Sequence, residues 1–130
     1  MADILKTVSN PLGTLIFKET AANATIVANV FNKTAAQMFC VRLDNSANST
    51  EAVYLKLYEN TNADGTQLTV GTNVPSFVMK APASQSVEMY IPGGIAFASG
   101  NYTHLAVTTT RGTAGTTAPS GTVAVTLIGT

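Results

Sequence analysis

The sequence predicts an all-β protein, an antiparallel two-sheet sandwich of about seven or eight strands. Apolar side chains recur at every second position in several short segments, as they do in strands that bury one face. Asparagine, glycine, serine and proline separate these segments, and windows rich in helix-forming residues are missing. Together these features favour a sandwich of the jelly-roll or immunoglobulin-like type.

The alternating segments each place one apolar row on one face of a strand. The clearest rows are Phe39, Val41 and Leu43; Val53, Leu55 and Leu57; Val87, Met89 and Ile91; Leu105 and Val107; and Val123, Val125 and Leu127. Residues 24–32 alternate less regularly, as expected for a segment that is covered on both sides. Residues 92–94 (PGG) predict a turn, followed by a short strand over residues 95–98. Residues 111–121 have almost no apolar content and predict an exposed, mobile loop.

The first residues differ in character from the rest of the chain. Residues 1–13 lack sustained alternation, whereas residues 14–18 (TLIFK) predict a short strand. We therefore divide the chain into an N-terminal arm with an edge segment, residues 1–20, and a β-sandwich domain, residues 21–130. The same pattern is equally compatible with a terminal segment that packs on its own domain.

The composition bears on the partners that the protein is expected to bind. Charged residues make up 11% of the 130 residues, and the net charge is zero. Because nucleic acids and anionic membranes are bound by clustered basic side chains, and the seven Lys and Arg are scattered, we expect neither partner. Cys40 is the single cysteine and has apolar neighbours, which predicts a packed, inert thiol. No signal peptide is visible at the start, so we expect synthesis in the cytoplasm.

Residues suited to catalysis or to metal binding are few and scattered. His104 is the single histidine, and no serine is accompanied by a recognisable base. The seven carboxylates lie singly, so they predict neither a glycosidase pair nor a calcium site. Gly93 and Gly94 lack the lysine and the following helix of a phosphate-binding loop. We therefore expect no enzyme activity, no catalytic or metal site and no cofactor.

Apolar and tyrosine side chains on the surface are the remaining candidates for a functional role. Tyr54 and Tyr58 alternate with the apolar row of one strand, and Tyr90 alternates with that of another. Tyrosine is enriched at interfaces, although a second sheet or a neighbouring subunit could also bury these rings. The predicted partner-binding residues combine these tyrosines with apolar side chains of the arm and the edge segment: Ile4, Leu5, Leu12, Leu15, Phe17, Tyr54, Tyr58 and Tyr90.

A series of short motifs covers about the last 60% of the chain. They are Val53–Tyr58 (VYLKLY), Gly71–Pro75 (GTNVP), Pro92–Gly100 (PGGIAFASG), Ala106–Thr110 (AVTTT) and Val123–Leu127 (VAVTL). In this order they resemble small β-sandwich virion proteins of tailed bacteriophages, of the head decoration or cement type. The chain departs from that pattern after Thr110, where an acidic loop is expected and residues 111–115 read RGTAG.

The resemblance implies a structural protein without catalytic residues, which coats a capsid and stabilises it. Its expected partners are the major capsid protein and itself, as a homotrimer or homodimer, and its expected location is the capsid surface of a virion assembled in the host cytoplasm. An alternative is a receptor- or carbohydrate-binding module of a phage tail fibre or other appendage, in which tyrosines stack on sugar rings. The absence of tryptophan counts against that alternative.

Overall fold

A computed structural model describes residues 12–130, which form seven β-strands. The strands are β1 (Leu15–Glu19), β2 (Gln37–Asp44), β3 (Val53–Asn60), β4 (Phe77–Ala81), β5 (Ser86–Ala96), β6 (Tyr102–Thr108) and β7 (Ala124–Gly129). They build a four-stranded sheet in the order β1-β7-β2-β5 and a three-stranded sheet in the order β4-β3-β6. Every pairing between these strands is antiparallel. The predicted all-β, two-sheet architecture is confirmed.

The main core lies between the two sheets and is built from the predicted apolar rows. Leu55 and Leu57 of the three-stranded sheet are fully buried, as are Val41 and Leu43 of the four-stranded sheet. Leu15 and Phe17 of β1 pack against this core and are partly buried. The period-two pattern predicted this face correctly where the strands keep their register. It is wrong for Phe39, because the register shift between Met38 and Cys40 turns Met38 into the core in its place. It is also wrong for Met89, which lies on the edge strand β5 and is 40% exposed.

Loops cover the outer face of the three-stranded sheet and form a third layer. Tyr58 and Ala106 on that face pack against Leu68, and Ile26 adds to this second apolar cluster. Tyr58, which the alternation predicted to be exposed, is only 1% exposed. That expectation is wrong because period two identifies the face of a strand, but it does not reveal that distant loops cover it.

Residues 24–32 contribute to this cover without forming a strand. Val27 makes an isolated bridge with Leu105, in which backbone N–H···O distances are 2.8 and 3.0 Å. The backbone N–H of Val30 donates to Thr103 at 2.9 Å. This segment therefore occupies the free edge of β6, which explains its irregular alternation.

The exposed loop predicted at residues 111–121 is anchored to the same outer face. Lys56, although fully buried, donates from Nζ to the carbonyl oxygens of Gly112 at 2.8 Å and Gly115 at 3.2 Å. Burial lowers the pKa of Lys56. The backbone N–H of Thr109 also donates to Thr117 at 2.9 Å. Most of the loop is exposed, but its backbone carbonyls compensate a buried ammonium group.

The turn predicted at residues 92–94 is absent, since β5 runs through these positions. Met38 pairs with Ile95 and Cys40 pairs with Tyr90, so residues 91–94 lie opposite Phe39 alone. The prediction is wrong because the proline and the two glycines absorb extra residues in a bulge inside one strand instead of reversing the chain.

Candidate interaction surface

The outer face of the four-stranded sheet carries an apolar row that crosses all four strands. Ile16 pairs with Ile128, Ile128 pairs with Cys40, and Cys40 pairs with Tyr90. Directly paired residues of antiparallel strands project to the same side, so the four side chains are neighbours on one face. Ile16 is 64% exposed and Tyr90 is 59% exposed. We call Ile16, Ile128, Cys40 and Tyr90 the apolar row.

Cys40 lies near the middle of this row and is itself buried. Its Sγ is 3.8 Å from Glu88 Oε1. Burial raises the pKa of the Cys40 thiol, and the neighbouring Glu88 carboxylate raises it further. The thiol therefore stays protonated at neutral pH and acts as a small apolar side chain, in agreement with the predicted packed cysteine.

A second row, parallel to the first, carries charges of opposite sign at its two ends. Lys18 pairs with Thr126, Thr126 with Arg42, and Arg42 with Glu88. Lys18 and Glu88 are exposed and lie on the two edge strands of the sheet. We call Lys18, Thr126, Arg42 and Glu88 the charged row.

Arg42, near the middle of the charged row, has partners within its own chain. Its Nη2 lies 3.8 Å from Asp44 Oδ2, and its Nε donates to Ser86 Oγ at 3.1 Å. The charges of Lys18, Arg42, Asp44 and Glu88 sum to zero on this face. Because Arg42 and Asp44 pair on β2, Lys18 makes the β1 side positive and Glu88 makes the β5 side negative.

A groove of about 230 Å³ adjoins the Tyr90 end of the apolar row. It is lined by Leu12, Phe39, Tyr90, Ile91, Pro92 and Gly93. Leu12 is the first residue that the structure describes, so residues 1–11 join the described chain at this groove. The apolar row and the groove form one continuous, mostly apolar surface.

The predicted partner-binding residues do not all lie on this surface. Leu12 and Tyr90 lie together in the groove, whereas Leu15 and Phe17 point toward the core. Tyr54 is partly exposed on the three-stranded sheet, where it lines a separate pocket with Val78, Lys80 and Arg111. Tyr58 is buried beneath the third layer, and Ile4 and Leu5 lie outside the described residues.

Ile16 and Ile128 belong to the surface and were not identified from the sequence. Ile16 lies between Leu15 and Phe17, and Ile128 follows Leu127, so both faces of β1 and β7 carry large apolar side chains. A strand with two apolar faces is covered on both sides or offers one face to a partner. That feature of the sequence was the available signal.

His104 is buried on the outer face of β6, beside Tyr58 of β3. Its Nδ1 accepts a hydrogen bond from the backbone N–H of Asn29 at 3.1 Å. Neither its Nε2 nor the hydroxyl of Tyr58, its cross-strand neighbour, has a hydrogen-bond partner among the described residues. Burial lowers the pKa of His104, although the Asn62 backbone and the Asp64 carboxylate act in the opposite direction. The imidazole is therefore neutral at neutral pH and packs against its neighbours.

Residues 12–130 contain no cluster of three or more His, Cys, Asp or Glu side chains that could hold a metal ion. They also contain no helix that is long and apolar enough to cross a membrane.

Comparisons with protein-family models, with curated proteins and with solved structures gave no match for this chain.

Proposed function

We propose that this chain is a structural virion protein that binds the outside of a phage capsid and stabilises it. The observation that carries the proposal is the apolar row, which is continuous across four strands and partly exposed. Continuous exposed apolar patches on soluble proteins often mark contacts with other proteins. The resemblance of the strand motifs to decoration proteins supports the same function.

The chemistry of the surface suits a coat protein that contacts other virion subunits. The face carries the apolar row and has no net charge, so long-range electrostatic attraction contributes little to contacts through it. A weak contact at each copy becomes strong when many copies bind a symmetric capsid at once.

Co-sedimentation with phage particles tests this function. Purified heads and tails of the encoding phage, each lacking this protein, are mixed with the full-length chain and pelleted. We expect the wild type to pellet with heads, and we expect Tyr90→Asp to remain in the supernatant because a carboxylate on this face would weaken the contact between neighbouring virion subunits on which multivalent binding depends. Val74→Asp is the matched control, since Val74 is 77% exposed outside the apolar row and the groove.

The outcomes separate capsid binding from the alternative functions. Equal pelleting of wild type and Tyr90→Asp with heads would contradict the role of this face, and no pelleting with heads would contradict the function itself. Pelleting with tails, together with binding to a glycan array, would indicate the receptor- or carbohydrate-binding module instead. The exposed ring of Tyr90 is the feature that such a module would use, whereas the buried Tyr58 counts against it.

A further inference from the structure

We propose that a second copy of this chain packs on the outer face of the four-stranded sheet. The two copies are related by a two-fold axis that runs parallel to the strands. The axis lies midway between the two packed sheets, above the gap between β7 and β2. This inference rests on the proposed function for the choice of face, and it names the subunit that occupies that face. The product is a dimer in which two four-stranded sheets lie face to face, about 10 Å apart.

The strand order determines which residues meet in such a dimer. Rotation about this axis lays β1 over β5 of the other copy and β7 over its β2, so each row faces itself in reverse. In the apolar row, Ile16 then lies over Tyr90 of the other copy, and Ile128 lies over Cys40. Each exposed large side chain at one end of the row therefore meets the one at the other end.

The charged row favours this axis over a two-fold axis that runs perpendicular to the strands. Under the proposed rotation, Lys18 lies over Glu88 of the other copy, and symmetry repeats this pair at the opposite end. A two-fold axis running along the charged row, perpendicular to the strands, would instead lay Lys18 over Lys18 and Glu88 over Glu88. Opposite charges that meet across an interface favour one arrangement over the others. Arg42 keeps Asp44 as its partner in its own chain.

The sheet edges are less suited to self-association than this face. The β5 edge contains Pro92, which has no N–H to donate, and the bulge at residues 91–94 interrupts its regular geometry. The β1 edge is only five residues long. Residues 23–34 already bond to the free edge of β6. These features disfavour strand addition at three of the edges and leave the face available.

Charge exchange between Lys18 and Glu88 tests the dimer and its axis. The two residues lie on opposite edge strands, about 14 Å apart across three strand spacings, so they do not interact within one chain. Sedimentation velocity of the full-length chain should detect a wild-type dimer. Lys18→Glu and Glu88→Lys should each weaken dimerisation about tenfold or more, because both symmetric pairs then carry like charges. An equimolar mixture of the two variants, or the double variant, should restore the dimer.

Lys80→Glu controls for the change in net charge. Lys80 is exposed on β4, in the other sheet, and its substitution changes the net charge by the same amount as Lys18→Glu. Lys80→Glu should dimerise like the wild type, and its mixture with Glu88→Lys should give much less heterodimer than the mixture with Lys18→Glu. Circular dichroism verifies that each variant is folded.

Three results would overturn this inference: a monomeric wild type at high concentration, a Lys18→Glu variant that dimerises normally, or a mixture that fails to restore the dimer. Each of these is measured without capsids. A monomeric chain that still binds heads would overturn the dimer and leave the proposed function standing. A charge-dependent dimer that binds no heads would overturn the proposed function and leave the dimer standing.

Discussion

At the scale of single residues, His104 and Glu51 link the stability of the fold to pH. The neutral form of His104 is favoured because burial disfavours the imidazolium, and in this form Nδ1 accepts a backbone hydrogen bond. Its pKa is therefore lowered from the usual 6.5. The unfolded chain takes up a proton at this position at a higher pH than the folded chain does.

Glu51 has the stronger shift and lies at one end of the sandwich. Its carboxylate accepts hydrogen bonds from the backbone N–H of Ser120 at 2.8 Å, from Thr50 Oγ1 at 2.6 Å and from Asn48 Nδ2 at 3.0 Å. These bonds lower the pKa of Glu51 from 4.5 to about 2, with the backbone N–H of Ser120 as the largest cause. The ionised carboxylate thereby joins the loop after β2 to the loop before β7.

We expect the free energy of unfolding to decrease with acid in two separate pH ranges. Both groups have a lowered folded-state pKa, so in each range the unfolded state binds more protons and stability falls as the pH falls. The His104 range begins near pH 6.5, and the Glu51 range extends from about pH 4.5 to about pH 2. Urea unfolding between pH 8 and pH 3 measures both.

Matched variants separate the two contributions. His104→Gln removes the titrating imidazole and should abolish the decrease that begins near pH 6.5. Glu51→Gln should leave that decrease intact and reduce the one at lower pH, where Asp44 and Asp64, whose pKa values are also lowered, still contribute. A decrease near pH 6.5 that persists in His104→Gln would contradict the assignment.

At the scale of secondary-structure elements, the bulge in β5 shapes the groove of the interaction surface. Gly93 and Gly94 have φ of 78° and 75°, a region that other residues enter at a cost. A Cβ on Gly94 would lie 2.8 Å from Cε1 of Phe39, whereas a Cβ on Gly93 would meet nothing within 4 Å. The two glycines therefore share a backbone requirement, but only Gly94 is also restricted by a neighbouring ring.

The glycine pair offers a matched test of that difference. Gly93→Ala should lower the free energy of unfolding by about 1–2 kcal/mol, the cost of the left-handed conformation alone. Gly94→Ala should cost about 1–3 kcal/mol more, because the Phe39 ring must also move. Chemical denaturation of both variants measures the difference between their free energies of unfolding. When both substitutions are made in a Phe39→Ala background, most of that difference should disappear. Equal effects of the two glycine substitutions would show that Phe39 adjusts freely.

At the scale of the whole molecule, the sequence predicted the two-sheet fold and its core, but it located the interaction surface only in part. The rows of Leu55 and Val125 follow period two and face the core, because a local pattern is enough to identify a buried strand face. The burial of Tyr58 depends on Leu68 and Ile26, and the apolar row depends on pairing among four strands that are distant in sequence. Both properties arise from long-range contacts, which the local alternation does not encode.

The division of the chain after residue 20 can also be examined at this scale, because β1 lies before that boundary. Leu15–Glu19 pair with β7 at five positions, and the side chains of Leu15 and Phe17 pack on the core. Deletion of residues 2–20 should therefore lower the free energy of unfolding by about 3 kcal/mol or more, through lost apolar burial and an exposed β7 edge. Deletion of residues 2–11 keeps every strand that the structure describes and should change that free energy by less than about 0.5 kcal/mol.

Thermal and urea unfolding of the two truncated chains, each compared with the full-length protein, measure this difference. If residues 1–11 take part in capsid attachment, the shorter deletion should release the protein from heads while its unfolding remains unchanged. The longer deletion should weaken both properties, because it also removes Ile16 and Lys18 from the apolar and charged rows. Equal stability of the two truncated chains would contradict the structural role of β1 and would place the boundary between arm and sandwich after residue 20.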